Sequence, residues 1–124
     1  LDPIRLALPV YSVNVAAVVA VQAALADRAY LADYCAQVEA SKERLYAACD
    51  RLGLRYWKSA ANFVLVDAGA RAELLARGAA ARGIYLRDRS KEPGLEGCLR
   101  IGTGLVAHTE RCIAVLEEVL CAAG

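Results

Sequence analysis

Several features are scarce in this 124-residue sequence, and each scarcity excludes a class of protein. The charges nearly cancel, with 15 Lys and Arg against 14 Asp and Glu and a formal net charge of +1. A non-specific nucleic-acid binder needs a broad basic surface, so we expect no nucleic-acid partner. The sequence has only 3 prolines and 58% hydrophobic residues, which excludes a disordered chain and predicts a packed domain.

The sequence also lacks a long apolar run. Its most apolar segment, Val13 to Ala26, is too short to cross a bilayer and is interrupted by Asn14 and Gln22. The residues before this segment do not have the basic character that a signal peptide needs. We therefore expect no membrane partner and a cytoplasmic location.

Cysteine and histidine do not occur in numbers or spacings that suit a metal site or a disulfide framework. The cysteines are five, an odd number, and form no CxxC pair, and His108 is the single histidine. We therefore predict no metal site, buried reduced thiols, and a surface position for His108 near the start of a helix. The five cysteines are Cys35, Cys49, Cys98, Cys112 and Cys121.

Lysine is scarce beside arginine, with 3 lysines against 12 arginines. Arginine is the side chain suited to bidentate binding of planar or tetrahedral anions. The bias favours a small anionic ligand.

The spacing of apolar residues predicts the order helix, helix, strand, strand, helix, strand, strand, helix. We expect an α/β fold of the α+β type, with a small, mainly antiparallel sheet of about four strands and helices packed on one face. An apolar N-terminal helix precedes this unit, and it is apolar nearly all round, so it needs cover on several sides. The predicted helices cover residues 12–26, about 30–52, 70–82 and 107–121, and the predicted strands cover 54–57, 62–67, 84–88 and 98–102.

Two arginines fall on short predicted strands, Arg87 on the third and Arg100 on the fourth. Because side chains alternate across a strand, the aliphatic residues beside each arginine face one side and the arginine faces the other. If both aliphatic sets face one core, both arginines project from the opposite face of the sheet. Two guanidinium groups repel each other there unless a phosphate or carboxylate bridges them. The alternative is a surface salt bridge from each arginine to an acid such as Asp88 or Glu96.

The letters around these arginines resemble a known family. The run GIYLRDRSKEPGLEGCLRIGTG, from Gly83 to Gly104, is similar to the C-terminal region of histidinol-phosphate aminotransferases, which are fold-type I enzymes that use pyridoxal phosphate. The separation of Arg87 and Arg100 matches the family. Further similarities are Pro9, Tyr11, Val13 and Asn14 at the start of the first helix and Ala61-Asn62-Phe63 at a strand.

The resemblance implies a division of the chain and a role for each arginine. Residues 1–29 would be an inter-domain segment with the apolar helix, and residues 30–124 the C-terminal small domain of the aminotransferase. Arg100 would hold the substrate carboxylate or phosphate, and Arg87 would assist at the phosphate end. The implied partners are a small phosphorylated amino-acid-type substrate, glutamate and a second copy of the enzyme in a homodimer.

The resemblance also implies that the catalytic and cofactor-binding residues lie outside this chain. Pyridoxal phosphate needs a lysine for its covalent link, and the family carries that lysine in an upstream large domain. Ser41-Lys42 and Ser90-Lys91 are similar to the Ser-Lys of that site, but we interpret both lysines as surface residues. Together with the absence of methionine, this predicts an inactive fragment of a longer enzyme.

Two alternatives remain open. Within the fold, the chain could belong to another class I or II aminotransferase or to a threonine-phosphate decarboxylase. In a different class, it could be a free-standing regulatory module that binds an amino acid on a small α/β sheet.

Overall fold

A computed structural model describes residues 14–122, and the boundary between two compact units falls between Asp33 and Tyr34. The motif residues Pro9, Tyr11 and Val13 lie outside the described residues. Within the described part, the helices are α1 (Val15–Ala26), α2 (Arg28–Leu52), α3 (Ala72–Ala80) and α4 (Val106–Cys121), with a 3₁₀ turn at Gly69–Arg71 before α3. The strands are β1 (Arg55–Trp57), β2 (Phe63–Asp67), β3 (Arg87–Asp88) and β4 (Cys98–Gly102).

The first two helices begin at polar caps that the sequence supplies. The Oδ1 atom of Asn14 accepts a hydrogen bond from the Ala16 N–H at 2.8 Å, and this starts α1. The Oδ1 atom of Asp27 accepts one from the Tyr30 N–H at 3.0 Å at the start of α2. The charged residue that breaks the apolar run is therefore the cap of the next helix.

Helix α1 has no buried residue. Val15, Val19 and Leu25 are 79%, 70% and 63% exposed. The predicted apolar helix is present, and its apolar surface is uncovered over the described residues. In residues 14–122, no single helix is long and apolar enough to cross a membrane. Helices α1 and α2 together have enough length and apolar composition for a bent span.

The sheet has four antiparallel strands in the order β1-β2-β4-β3, which confirms the predicted small antiparallel sheet. Alternate residues of its two central strands, Val64 and Val66 on β2 and Leu99 and Ile101 on β4, are at most 2% exposed. They pack with buried residues of three helices, among them Leu45, Leu75 and Leu116. The helices therefore cover one face of the sheet, as predicted, and the other face carries charged and aromatic side chains together with Leu65 and Cys98.

The third strand is shorter than the predicted strand over residues 84–88. Only Arg87 and Asp88 pair with β4. The Ile84 N–H instead donates to the Ala79 carbonyl at 2.9 Å, so the chain is still tied to the end of α3 where the strand was expected to begin. The space between this segment, the end of β4 and the first turns of α4 is a cavity of about 420 Å³.

Glycine ends both α2 and the turn after α3. Gly53 has φ +61° and Gly83 has φ +77°, a left-handed conformation that residues with a Cβ adopt at a cost. The Leu54 N–H donates back to the Cys49 carbonyl at 2.9 Å, which satisfies a carbonyl at the end of α2. Both glycines stand where the sequence predicted helix ends.

Candidate functional site

Arg87 and Arg100 are direct cross-strand partners in the β3–β4 ladder. Cross-strand partners point to the same face of a sheet, and Arg100 alternates with the buried Leu99 and Ile101. Both arginines therefore lie on the face opposite the helices, as the alternation predicted. Arg87 is exposed and Arg100 is partly buried. We call these two residues the arginine pair.

The arginine pair has no acidic partner among residues 14–122. Six other arginines form ion pairs with a Glu or Asp, namely Arg44, Arg51, Arg55, Arg77, Arg82 and Arg89. Neither guanidinium of the arginine pair forms an ion pair or a hydrogen bond with a described residue. Six of the eleven arginines in residues 14–122 form ion pairs, so the arginine pair differs from the majority.

The two acids that could have neutralised the arginine pair make other contacts. The Asp88 carboxylate accepts a hydrogen bond from the Ser90 N–H at 2.8 Å, and hydrogen bonds from the Ser90 hydroxyl and N–H lower the pKa of Asp88. Glu96 accepts from the Gly94 N–H at 3.1 Å, and backbone hydrogen bonds from its own N–H and that of Gly94 lower its pKa. Neither acid forms an ion pair with Arg87 or Arg100, so within residues 14–122 the salt-bridge alternative is wrong for both arginines.

An aromatic ring supports Arg100. Its guanidinium carbon lies over the ring of Phe63, 4.9 Å from the ring centroid. Phe63 is the first residue of β2, and its cross-strand partner is Gly102, two residues beyond Arg100. Sequence reasoning noted the Ala61-Asn62-Phe63 motif but gave Phe63 no role. The same period-two rule that placed Arg100 would have found it, because Phe63 alternates with the buried Val64.

A third arginine on this face, Arg55, has a different set of contacts. The Arg55 guanidinium carbon is 5.9 Å from the centroid of the Trp57 ring, and its Nη1 atom is 3.6 Å from a carboxylate oxygen of Asp67. Arg55 thus combines an aromatic contact with an ion pair. The open face of the sheet holds one neutralised arginine and two that lack an acidic partner.

The lysines do not offer a site for a covalent cofactor link. The interpretation of Lys42 as a surface residue is wrong, because its side chain is only 3% exposed. Its Nζ atom donates to Glu39 at 2.7 Å and to the Ser59 carbonyl at 2.8 Å, so it ties α2 to the loop before β2. Lys58 and Lys91 are exposed. The described lysines therefore do not fit the covalent link that pyridoxal phosphate needs.

The cysteines and His108 take no part in the arginine pair. All five cysteines are free, with Cys49, Cys98 and Cys112 buried, whereas Cys35 and Cys121 are exposed, contrary to the prediction of five buried thiols. Burial raises the pKa of Cys49 and of Cys112 to about 11, which keeps both in the unreactive thiol form near neutral pH. His108 is exposed in the first turn of α4, as predicted.

The cavity of about 420 Å³ does not contain the arginine pair. It is lined by Gly83 to Leu86, by Ile101 to Gly104 and by His108, Thr109, Arg111 and Cys112 of α4. The arginine pair instead lies on an open strand face. An anion bound on this face would be exposed to solvent on its other side, so its site would be complete only if another element covered it.

Residues 4–116 match the family described as aminotransferase class I and II, which is most of the chain. The chain belongs to this family, and the sheet with its helices on one face is a part of that fold. The particular resemblance is to histidinol-phosphate aminotransferases.

Two such relatives illustrate the similarity. The histidinol-phosphate aminotransferase of Roseiflexus castenholzii is 39% identical over 114 residues, covering 88% of this chain and 30% of that protein. The enzyme of the same name from Symbiobacterium thermophilum is 38% identical over 120 residues, covering 97% of this chain and 33% of that protein. The chain therefore spans about a third of the length of these relatives.

A solved structure shows the same fold. The histidinol-phosphate aminotransferase of Sinorhizobium meliloti, in complex with pyridoxal-5′-phosphate, superposes with a TM-score of 0.69 at 34% sequence identity. The match covers 82% of this chain and 29% of that one. The predicted membership of the family is confirmed by sequence and by structure.

Proposed function

We propose that this chain is the substrate-binding small domain of a histidinol-phosphate aminotransferase. In the complete enzyme, glutamate would donate the amino group and imidazole acetol phosphate would accept it, giving 2-oxoglutarate and histidinol phosphate. The single observation that carries the proposal is the arginine pair, which stands on the open sheet face without an acidic partner among the described residues. The names of the similar enzymes support this choice of substrate.

In this proposal the arginine pair binds the two kinds of anionic group in the substrates. Arg100 presents a guanidinium that is partly buried and supported by Phe63, which suits a fixed, bidentate grip on a carboxylate or phosphate. Arg87 is the more exposed partner and would act at the phosphate end. Holding a substrate by its charged groups orients its reacting carbon for proton transfer.

Pyridoxal phosphate would be bound by residues outside this chain. The cofactor supplies the electron sink for chemistry at an α-carbon, and it needs an anchoring lysine that the described residues do not provide. The proposed partner is a second copy of the enzyme in a homodimer, and the proposed location is the cytoplasm. By itself, the 124-residue chain would be inactive.

The test uses the complete reading frame in which this chain lies. We expect its product to convert glutamate and imidazole acetol phosphate to 2-oxoglutarate and histidinol phosphate, and to restore growth without histidine to a bacterial strain that lacks this aminotransferase. The 124-residue chain should do neither. Decarboxylation of threonine phosphate, transamination of other amino acids only, or a natural start codon next to Leu1 would each contradict the proposal.

A further inference from the structure

Phe63 and Arg100 contact each other because of the register of β2 and β4. Phe63 faces Gly102 directly and Arg100 diagonally. Diagonal neighbours in an antiparallel pair are within reach of long and aromatic side chains. This diagonal placement brings the guanidinium carbon of Arg100 to 4.9 Å from the centroid of the Phe63 ring.

The position of Phe63 is fixed by the contacts of the loop before it. The Ser59 carbonyl accepts a hydrogen bond from Lys42 at 2.8 Å, and the Ser59 N–H donates to the Tyr46 hydroxyl at 2.9 Å. The carbonyl of Asn62 accepts from the Thr103 N–H at 2.8 Å. Helix α2 holds the loop on one side and the end of β4 holds it on the other, so the first residue of β2 starts from an anchored backbone.

An aromatic ring is a particular kind of partner for a guanidinium. It attracts the cation through its face by an electrostatic interaction of about 0.5–2 kcal/mol. A bidentate carboxylate accepts two of the five N–H donors of arginine. All five donors lie in the plane of the guanidinium, so an aromatic ring stacked over its carbon leaves them unused. Phe63 therefore stabilises the partly buried charge of Arg100 and leaves its donors for a ligand.

Arg55 shows the contrasting case on the same face. Its aromatic neighbour, Trp57, is farther away at 5.9 Å, and its guanidinium is also 3.6 Å from the carboxylate of Asp67. Its donors are thus already directed at an acid within the chain. Arg100, in contrast, has an aromatic contact and no acidic partner among residues 14–122.

We propose that Phe63 is a positioning residue for Arg100. Its ring holds the guanidinium over the sheet with the N–H donors unused, ready for the carboxylate or phosphate of a substrate. This inference rests on the proposed function, in which Arg100 binds the substrate. Phe63 itself touches the arginine and has no part in the reaction.

The first test compares variants of the complete enzyme. Phe63→Leu keeps apolar volume and removes the ring, and we expect KM for glutamate to rise about 5- to 10-fold while kcat changes less than about 2-fold. Phe63→Tyr keeps the ring and should restore KM. Trp57→Leu removes the aromatic neighbour of Arg55 and is the matched control, with KM unchanged. Equal KM values in Phe63→Leu and the unaltered enzyme would overturn the proposal.

The second test measures the contact without any activity, on the 124-residue chain. The ring current of Phe63 should shift the NMR signals of the Arg100 δ-protons upfield, and Phe63→Leu should remove this shift. Titration with inorganic phosphate should perturb the Arg100 side-chain signals at lower concentration in the unaltered chain than in the variant. Identical titrations would contradict the inference. If Phe63→Leu does not fold, Phe63→Met provides the same comparison.

The two tests separate failure of the inference from failure of the proposed function. A complete enzyme without transaminase activity, together with a 124-residue chain whose Arg100 signals still depend on Phe63 in the phosphate titration, would refute the substrate assignment and retain the positioning role. An active enzyme with unchanged KM in Phe63→Leu would refute the positioning role of Phe63 and retain the proposed function.

Discussion

The side chains of Arg87 and Arg100 are placed against each other by the β3–β4 ladder. Like charges directly opposite on neighbouring strands destabilise a sheet, and here no described acid offsets the repulsion. The chain thus retains an unfavourable pairing that a bound phosphate or carboxylate would relieve. An arrangement that costs stability in the free domain and favours anion binding is typical of a functional site.

Arg100→Ala tests this pairing in the complete enzyme. We expect kcat/KM to fall roughly 100-fold, or about 2.7 kcal/mol, because the change removes a charge-assisted contact with the substrate. The absorbance of the bound cofactor should persist, since the arginine pair is assigned to the substrate. Arg55→Ala is the matched control, because the carboxylate of Asp67 already neutralises Arg55. A loss below about 3-fold in Arg100→Ala would contradict the assigned role.

Among the helices and strands, the elements with clear periodicity could be predicted from the sequence. The helix ending at Gly53, the strand Cys98–Gly102 and the one-sided packing follow from alternation and from glycine placement. The strand over residues 84–88 was predicted too long, because alternation cannot show that the Ile84 N–H bonds back to α3. The face of the arginine pair could be predicted from the same alternation.

Other parts of the site depend on contacts between distant residues, which periodicity does not encode. The burial of Lys42 results from its hydrogen bond to the Ser59 carbonyl, 17 residues away along the chain. The contact between Phe63 and Arg100 needs the β2–β4 register, which sets Phe63 against Gly102. Alternation along a strand predicts which face of the sheet a side chain occupies. Its contacts on neighbouring strands follow only from the register of the paired strands.

The packing of α3 against α4 depends on the absence of one side chain. A Cβ placed at Gly78 would lie 2.6 Å from the Cγ2 atom of Val119, which is 4% exposed. Glycine within a helix ordinarily costs about 1 kcal/mol relative to alanine, but here alanine would overpack the interface. We expect Gly78→Ala to lower the free energy of unfolding by about 1–3 kcal/mol in urea denaturation.

Gly102→Ala serves as the control for Gly78→Ala, because a Cβ at Gly102 meets no heavy atom within 4 Å. Its stability should stay within about 0.5 kcal/mol of the unaltered chain. A Gly78→Ala chain that is more stable than the original would show that helix propensity outweighs the contact with Val119.

The exposed apolar surface of α1 predicts association of the isolated chain. Contiguous apolar surface of this kind marks an interaction site, and no described residue of α1 is buried. We expect light scattering to show self-association and a hydrophobic dye to bind. Val19→Glu, at a position that is 70% exposed, should reduce both signals without unfolding the chain. A strictly monomeric chain that binds no dye would contradict this prediction.

On the scale of the whole molecule, the arginine pair lies on an open sheet face and α1, in the other compact unit, exposes its apolar surface. The chain spans about a third of the length of its relatives, and its cavity of about 420 Å³ does not hold the arginine pair. An anion site built on a flat strand face needs a second wall to exclude water and strengthen its charged contacts. A separate part of the protein that supplies this wall would also supply the cofactor site.

The last prediction separates this domain from the complete enzyme. The 124-residue chain, mixed with pyridoxal phosphate, should form no stable, stoichiometric Schiff base and transfer no amino group. The amine of Lys42 is engaged by Glu39 and by the Ser59 carbonyl. Lys58 and Lys91 are exposed to solvent, so they lack the desolvated surroundings that activate a lysine amine for a covalent link. The measurement is borohydride reduction followed by mass analysis, with the complete enzyme as the positive control. Scattered, substoichiometric labelling is the expected result for the chain alone, whereas one lysine labelled to completion would show that the domain carries its own cofactor site.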